Sequence, residues 1–436
     1  MLSVLKNRTY RHLFLAQVVA LTGTGLATVA LGLLAYDLAG EQAGLVLGIA
    51  LTIKMVAYVL IAPIASALIV NLNRRAVLVA LDLIRASVVL MLPFVTEIWQ
   101  IYVLIFVLQS ASAGFTPTFQ ATIPDILTDE EDYTKALSLS RLAMDAESLL
   151  SPVFAAALLT WMSFDNLFWG TALGFTASAL LVISVALPSA HPSKTRGFYE
   201  RTTRGLKIYL KTPRLRGLLA LNWTISAVVS LVFVNTVVIV KTDLGRADAA
   251  LAIALAGFGA GSMLASLLIP RLLHVLSDRT TMICGGAFAT AALGAIPFVG
   301  TLDLRLLVAG WFCIGFAYSL VLTPAGRVLA RSAHPEDRPA VFAAQFTLSH
   351  ACWLICYPLT GWLLLVFDTP TAMCVQSALG FLGVIAALKI WPRNSSAPVP
   401  HAHRDLPSDH AHLAGHNDHV HSIIIDDLHP RFTPRR

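Results

Sequence analysis

The feature that most constrains this chain is the exclusion of charge from long apolar stretches. Twelve such stretches can be marked, at 12–36, 43–70, 76–95, 98–121, 138–160, 166–187, 217–240, 248–273, 280–300, 303–326, 339–366 and 370–391. About 20 apolar residues in a helix cross the hydrocarbon core of a bilayer. No water is available there to satisfy a bare amide or carbonyl, so each stretch must close its own hydrogen bonds as an α-helix. Composition agrees: 56% of the residues are hydrophobic and 13% charged, against roughly 25% charged in a soluble domain. The first stretch follows Lys6, Arg8 and Arg11 as a signal peptide would. It exceeds the roughly 7–15 apolar residues of a signal core, so it is expected to stay as the first membrane helix.

The net charge is +6, and a basic chain raises the possibility of nucleic-acid binding. The placement of the charge argues otherwise. Eight cations, Lys194, Arg196, Arg201, Arg204, Lys207, Lys211, Arg214 and Arg216, share one segment between apolar blocks. With the N-terminus inside, Arg74, Arg75, Lys135, Arg271, Arg279, Arg327, Arg331, Arg338, Lys389 and Arg393 also fall on the inner side. Only Lys241, Arg246 and Arg305 fall outside. Such a bias orients a membrane protein and places both termini in the cytoplasm. The five cysteines are an odd number within apolar runs, which implies no disulfide framework.

The two halves look related. Thr116-Pro117 recurs as Thr323-Pro324, Ser151-Pro152 as Tyr357-Pro358, Glu130-Glu131 as Glu336-Asp337, and Arg75 as Arg279. Repeats of this kind build secondary transporters, with the path between the halves near the midplane. The expected architecture is an all-α membrane protein with twelve transmembrane helices in two six-helix bundles. Residues 1–187 form the first bundle, 188–216 a basic linker, 217–391 the second bundle and 392–436 a His-rich tail. The tail has little to bury apart from Ile423-Ile424-Ile425, so it is expected to be disordered or to order on binding.

Ionisable groups inside membrane helices are costly and therefore candidates for function. They are Lys54, Asp82, Arg85, Arg141, Asp145, Glu147 and His350. Asp82 and Arg85 stand three apart and Arg141 and Asp145 four apart, so each pair can meet on one helix face, as a structural pair or as part of a proton path. Glu147 faces elsewhere on the same helix and has no local partner in the sequence. His350 with Cys352 and Cys356 offers soft donors, although buried cysteine more often only packs.

The tail carries eight of the thirteen histidines: His401, His403, His410, His412, His416, His419, His421 and His429. Six of them form His-x-His pairs at 401/403, 410/412 and 419/421. Side chains two apart in extended backbone point the same way, so each pair can chelate one ion. Asp405, Asp409 and Asp418 add oxygen acceptors. Imidazole suits Ni²⁺, Co²⁺, Cu²⁺ and Zn²⁺. The expected partners are the lipid bilayer, protons and a transition-metal ion. No prosthetic group, nucleic acid or obligate protein partner is implied.

Several segments together resemble the major facilitator superfamily over about residues 1–391. They are Asn73-Arg74-Arg75 followed by Asp82-Leu-Ile-Arg85-Ala, Ile123-Pro124-Asp125-Ile126 with the acidic run Asp129–Asp132, and His350-Ala-Cys-Trp-Leu-Ile-Cys-Tyr-Pro358-Leu-Thr-Gly361. Within that family the chain is similar to the bacterial exporters that include enterobactin exporters and the NreB-like nickel-resistance group, which the His-rich tail resembles specifically. The resemblance implies alternating access driven by the proton gradient and efflux of Ni²⁺, with Co²⁺ after it, across a bacterial inner membrane. It also implies two departures. Val70 and Asn71 replace the acidic-basic pair of the family's second loop, so a latch between the halves is weakened or made by other groups. Ser151-Pro152 replaces the Gly-Pro of antiporters, with Ala155 and Ala156 where further glycine is expected. Export of an organic molecule such as a siderophore, drug or metal chelate is the competing expectation, and a membrane metal sensor the third. No phosphate loop, nucleophile elbow or HExxH motif supports an enzyme.

Overall fold

The computed structural model describes residues 1–40, 43–69, 72–188, 197–246, 248–393, 399–402, 418–421, 423–429 and 432. The first half holds α1 (Arg8–Ala39), α2 (Ala43–Ile69), α3 (Arg74–Met91), α4 (Ile98–Ile126), α5 (Glu130–Leu159) and α6 (Asp165–Ile183). After α7 (Phe198–Lys211), the second half holds α8 (Pro213–Val238), α9 (Asp248–Val275), α10 (Asp278–Val299), α11 (Leu304–Leu322), short α12 (Ala325–Ala330), α13 (Arg338–Val366) and α14 (Thr369–Ile390). Among the described residues, eleven spans are long and apolar enough to cross a membrane. A twelfth, α5, passes as a bent pair, turning 43° between Glu130–Ser148 and Val153–Leu159. Pro152 lies in that break and has no amide hydrogen to continue the helical ladder.

The helices begin where short polar residues interrupt the apolar runs. The side chains of Asn7, Asn73, Asp129, Ser277, Asp303 and Asp368 each accept a bond from a backbone amide of the first turn, at 2.8–3.2 Å. These amides have no partner inside the helix. The loops are therefore short polar caps.

The matched positions of the two halves fall at equivalent places. Pro117 lies in the fourth span and Pro324 just past the end of the tenth; Arg75 opens the third and Arg279 the ninth. They differ in one respect: α4 runs unbroken through Pro117, whereas α11 ends at Leu322 and α12 restarts at Ala325.

Packing within each half is close. In α9, Gly261 lies against the carbonyl of Phe312, and in α11 Gly315 lies against the carbonyl of Phe258, so a Cβ at either position would strike backbone. Small residues let membrane helices approach to this distance. The stripe Gly257-Phe-Gly259-Ala-Gly261 thus has a packing role. Large apolar side chains such as Leu60, Leu173, Leu267 and Phe381 stay exposed around the bundle, as a lipid-facing belt requires.

The helix ends sort the charge. Arg74, Arg75, Arg279, Arg327, Arg331, Arg338, Lys389 and helix α7 lie at one end of the bundle, and Lys241, Arg246 and Arg305 at the other. We call the first the basic end. Trp99, Trp161, Trp169 and Trp362 are exposed toward the opposite end, where amphipathic rings suit the membrane interface.

The linker is not a plain loop. Helix α7 buries Gly205, Ile208 and Tyr209 and exposes Tyr199 and Leu210. Gly205 abuts the backbone of Ala340, and the Tyr209 hydroxyl donates to Gln345 Oε1 at 2.5 Å. Amphipathic spacing at 3.6 residues per turn was present in the sequence but masked there by the density of charge.

Two short parts of the tail lie among the described residues. Strands β1 (Val399–Ala402) and β2 (Asp418–His421) pair antiparallel. Beyond them Ile423, Ile425 and His429 are buried. The Ile-Ile-Ile run supplies the apolar surface for this docking. His403, His410, His412 and His416 lie outside the described residues, as do Val70 and Asn71.

Candidate functional site

The halves meet through α2 with α13, α5 with α9, and α4 with α13. Hydrogen bonds and ion pairs join the halves at the basic end and at mid-depth.

At the basic end Asp125, from the last turn of α4, accepts Arg74 of its own half at 2.6 Å on one oxygen and Arg338 of the other half at 2.5 Å on the second. Next to it, Arg327 reaches Glu130 at 2.5 Å, Asp278 at 3.3 Å and the Thr134 hydroxyl at 2.7 Å. Arg331 pairs with Glu130 and, at 2.8 Å, with Asp278. The latch is made by other groups, as one of the two sequence expectations allowed. None of these partners could be matched from sequence, because they come from four loops that only the fold brings together.

Behind this seal sits a polar layer at mid-depth. Asp145 receives Arg141 Nη2 at 2.9 Å on one oxygen and the Ser262 hydroxyl, from α9 of the other half, at 2.6 Å on the other. The Arg141 guanidinium lies 4.3 Å from the ring centre of Tyr318 in α11. One ion pair of the first half therefore holds the second half at two points. On the other flank, Tyr58 of α2 packs against Phe346 and His350 of α13, with both ring centres 4.8 Å away. Its hydroxyl donates to Gln109 Oε1 at 2.8 Å, and Lys54 Nζ stands 5.7 Å from its ring centre.

His350 has its Nδ1 2.7 Å from the Phe346 carbonyl oxygen. A carbonyl only accepts, so Nδ1 carries the hydrogen and a neutral ring keeps its lone pair on Nε2. Glu147 accepts the Ser151 hydroxyl at 3.4 Å beside Gly25 of α1. Asp82 and Arg85 do not join this layer. They pair with each other in the core of the first half, where Ser178 donates to Asp82 at 2.8 Å and Arg85 lies over Phe115 and Phe175. Cys352 and Cys356 are buried, and among the described residues no three His, Cys, Asp or Glu side chains converge as a metal cage. Ser262, Tyr318, Tyr58 and Gln109 went unnoticed in the sequence because nothing local distinguishes them.

The two-bundle arrangement, sealed at one end, is the observation that places the chain among known proteins. The model of the Major Facilitator Superfamily matches residues 13–245 and 218–423. The chain belongs to the Major Facilitator Superfamily. Among its relatives, an uncharacterised transporter of this superfamily, YfiS of Bacillus subtilis (strain 168), is 24% identical over 289 residues, 64% of this chain and 68% of the relative. Macrolide efflux protein A of Streptococcus pyogenes is 26% identical over 149 residues, 33% of this chain and 36% of that protein. The chain thus spans only about a third of the latter's length in the match. Solved structures share the fold. The human organic anion transporter MFSD10 superposes with a TM-score of 0.75 at 14% identity, covering 87% of this chain and 99% of that one. A bacterial homologue of the iron transporter ferroportin, in an outward-facing state, superposes with a TM-score of 0.72 at 15% identity, covering 87% and 98%.

The tail adds a clasp to this superfamily body. Asp426 accepts the backbone amide of His429 at 2.6 Å and its Nδ1 at 2.9 Å, and His334 Nε2 lies 3.3 Å from its second oxygen. Arg204 of α7 grips both oxygens of Asp337, at 3.1 and 2.8 Å, and reaches Asp427 at 2.8 Å. The clasp thus lies beside Arg338, the residue that closes the seal. The hydrogen bond with Asp426 raises the pKa of His334. Burial pushes Asp426 up, but hydrogen bonds from His334 and His429 outweigh it and hold the carboxyl below its ordinary range.

The sign of the pH effect follows. The raised His334 contributes stability that is full below the ordinary histidine pKa and lost as pH rises through the higher folded value. The depressed Asp426 loses its contribution only as pH falls through its low folded value. Hydrogen exchange at residues 423–429, corrected for the intrinsic rate, is expected to speed up several-fold as pH rises from about 6 to about 9, since a part-exposed pair contributes about 0.2–1 kcal/mol. His334→Gln should show no such rise. An equal rise in that variant would exclude His334 as the source.

Proposed function

We propose that this chain is a proton-driven exporter of a transition-metal cation, Ni²⁺ first and Co²⁺ second. It would carry the cation out of the cytoplasm across a bacterial inner membrane and thereby confer metal resistance. The basic end, with both termini, faces the cytoplasm under the rule that places Lys and Arg inside. The observation that carries the proposal is the His-rich tail anchored at that end beside the seal. Such a tail collects borderline metal ions through neutral imidazoles at cytosolic pH. His350, with Nε2 as its lone-pair nitrogen, is the imidazole of the seam between the halves, and Asp145 and Glu147 are the carboxylates proposed to exchange protons. The preference for nickel rests on the resemblance to the NreB-like group; affinity order alone would favour Cu²⁺.

Export of an organic molecule is a second reading with an observation of its own. The mid-depth layer offers aromatic faces and one amine, Tyr58, Phe346, His350 and Lys54, and no three-donor cage among the described residues. Relatives named for organic substrates fit that lining.

The test is the metal content of a metal-sensitive bacterial host loaded with Ni²⁺, Co²⁺, Zn²⁺ or Cu²⁺, with and without the protein. A fall in cellular nickel with raised tolerance, partly lost on deleting residues 398–436, is the expected result. If no metal responds while the folded protein sits in the membrane, metal efflux is wrong and organic export takes its place.

A further inference from the structure

Lys54 is an intramembrane charge that neither the seal nor the Arg141–Asp145 pair uses. It lies near the middle of α2. Among the described residues no carboxylate forms an ion pair with it. Glu147 accepts the Ser151 hydroxyl instead. The Tyr58 ring does not replace a counter-charge: its centre is 5.7 Å from Nζ, near the outer limit of about 6 Å for a cation over a ring. An unpaired charge inside a membrane protein is costly, and is kept where it meets a partner or a transported species.

The surroundings of this amine are aromatic. Phe346, His350, Trp353 and Tyr357 of α13 follow a four-three-four spacing, which sets them on one helix face. All four are half-buried, whereas Cys352 and Cys356 between them are buried. Phe346 and His350 have ring centres 4.2 Å apart, and Trp353 and Tyr357 5.1 Å apart. Tyr58 of the first half covers the pair nearer the seal, at 4.8 Å from each ring. Helices α2 and α13 run in opposite directions between the basic end and the other. Lys54, one turn before Tyr58, therefore stands one turn further from the seal, on the side where the row continues to Trp353.

We infer that Lys54 and the ring row of α13 form a binding site for an organic anion. Its carboxylate sits on Lys54, and its flat apolar body lies along Phe346, His350 and Trp353. An ammonium holds an oxyanion through a charge-assisted hydrogen bond of about 2.7–2.9 Å, and ring faces hold a flat body by stacking. Such a site gives the organic reading above, on which it rests for its cargo, a definite charge and shape. It bears on the cation reading too. A bare divalent ion approaching His350 would meet the Lys54 charge in surroundings of low dielectric, so a cation passes this level together with such an anion.

The experiment is equilibrium binding of 1-naphthoate, alone and without metal, to the purified full-length protein in lipid nanodiscs, with empty nanodiscs as the blank. The controls are 1-naphthamide, which keeps the rings and lacks the charge, and acetate, which keeps the charge and lacks the rings. 1-Naphthoate should bind at least about tenfold tighter than either. Lys54→Gln should weaken it about 10- to 100-fold, what one hydrogen bond to a charged group supplies, and level it with 1-naphthamide. Lys54→Arg should recover most of the affinity. Trp353→Leu should weaken 1-naphthoate several-fold through the lost ring contact and leave the dependence on Lys54 in place. No measurable binding of 1-naphthoate, equal binding of 1-naphthamide, or equal binding by a folded Lys54→Gln protein would overturn the site. Binding without export of 1-naphthoate from loaded cells removes the organic reading and leaves the site. Nickel efflux unchanged by Lys54→Gln, with no anion bound, removes the site and leaves the cation proposal.

Discussion

Asp125→Ala is expected to unlock the basic end. The carboxylate joins Arg74 of one half to Arg338 of the other, and its side chain is nearly inaccessible, at 4% exposure. Removing one partner of a buried charge cluster costs about 3–5 kcal/mol, because the remaining charges lose their compensation. Here two arginines would be left facing one another across the halves. Of the two contacts of Asp125, the one with Arg338 joins the two halves, so most of that cost falls on sealing. A cost of about 3 kcal/mol is a shift of roughly 10²-fold in the conformational equilibrium. The reporter is Thr134→Cys in a cysteine-free background, since Thr134 is buried beneath Arg327 in the sealed state. Labelling of that cysteine by a bulky thiol reagent should accelerate at least tenfold with Asp125→Ala. Arg338→Ala should act in the same direction. Unchanged protection in both would mean that apolar packing, and not this ion cluster, closes the basic end.

Asp145 should give the second large effect, and of a different kind. It holds Arg141 and Ser262 on separate oxygens, with the arginine also stacked on Tyr318. Asp145→Ala leaves a cation at mid-depth without its counter-charge, where charge is most costly. It is expected to lower the yield and melting temperature of the folded protein. Asp145→Asn keeps the shape and the contact with Ser262 but loses the charge. It should fold normally and slow the proposed metal efflux about 10- to 100-fold, the equivalent of roughly 1.5–3 kcal/mol for a hydrogen bond to a charged group. Ser262→Ala removes one such bond and leaves the ion pair intact, so it should cost less. If Asp145→Asn transports at the normal rate, the carboxylate is structural and the coupling group must be sought at Glu147.

Sequence by itself determined the helical membrane fold, the spans and the relation of the halves. Each of these depends on local chemistry. A run of about 20 apolar residues must be a helix in hydrocarbon, and a polar residue at its border caps it whatever lies elsewhere. The intramembrane charges were equally legible, as was the pairing of Asp82 with Arg85 and of Arg141 with Asp145, since three- and four-residue spacing sets a helix face. Tertiary structure decided which of these pairs matters to the seam. Asp82 turns into the core of its own half, while Asp145 meets Ser262 across 117 positions of chain. It also decided that Asp125 serves as the latch where Val70 and Asn71 depart from the family's pattern. In the tail, His429 turns inward to Asp426, and strand pairing sets the backbone of residues 399–402 against that of 418–421. Contacts of that kind depend on helix packing and strand register, and no spacing along the chain encodes them.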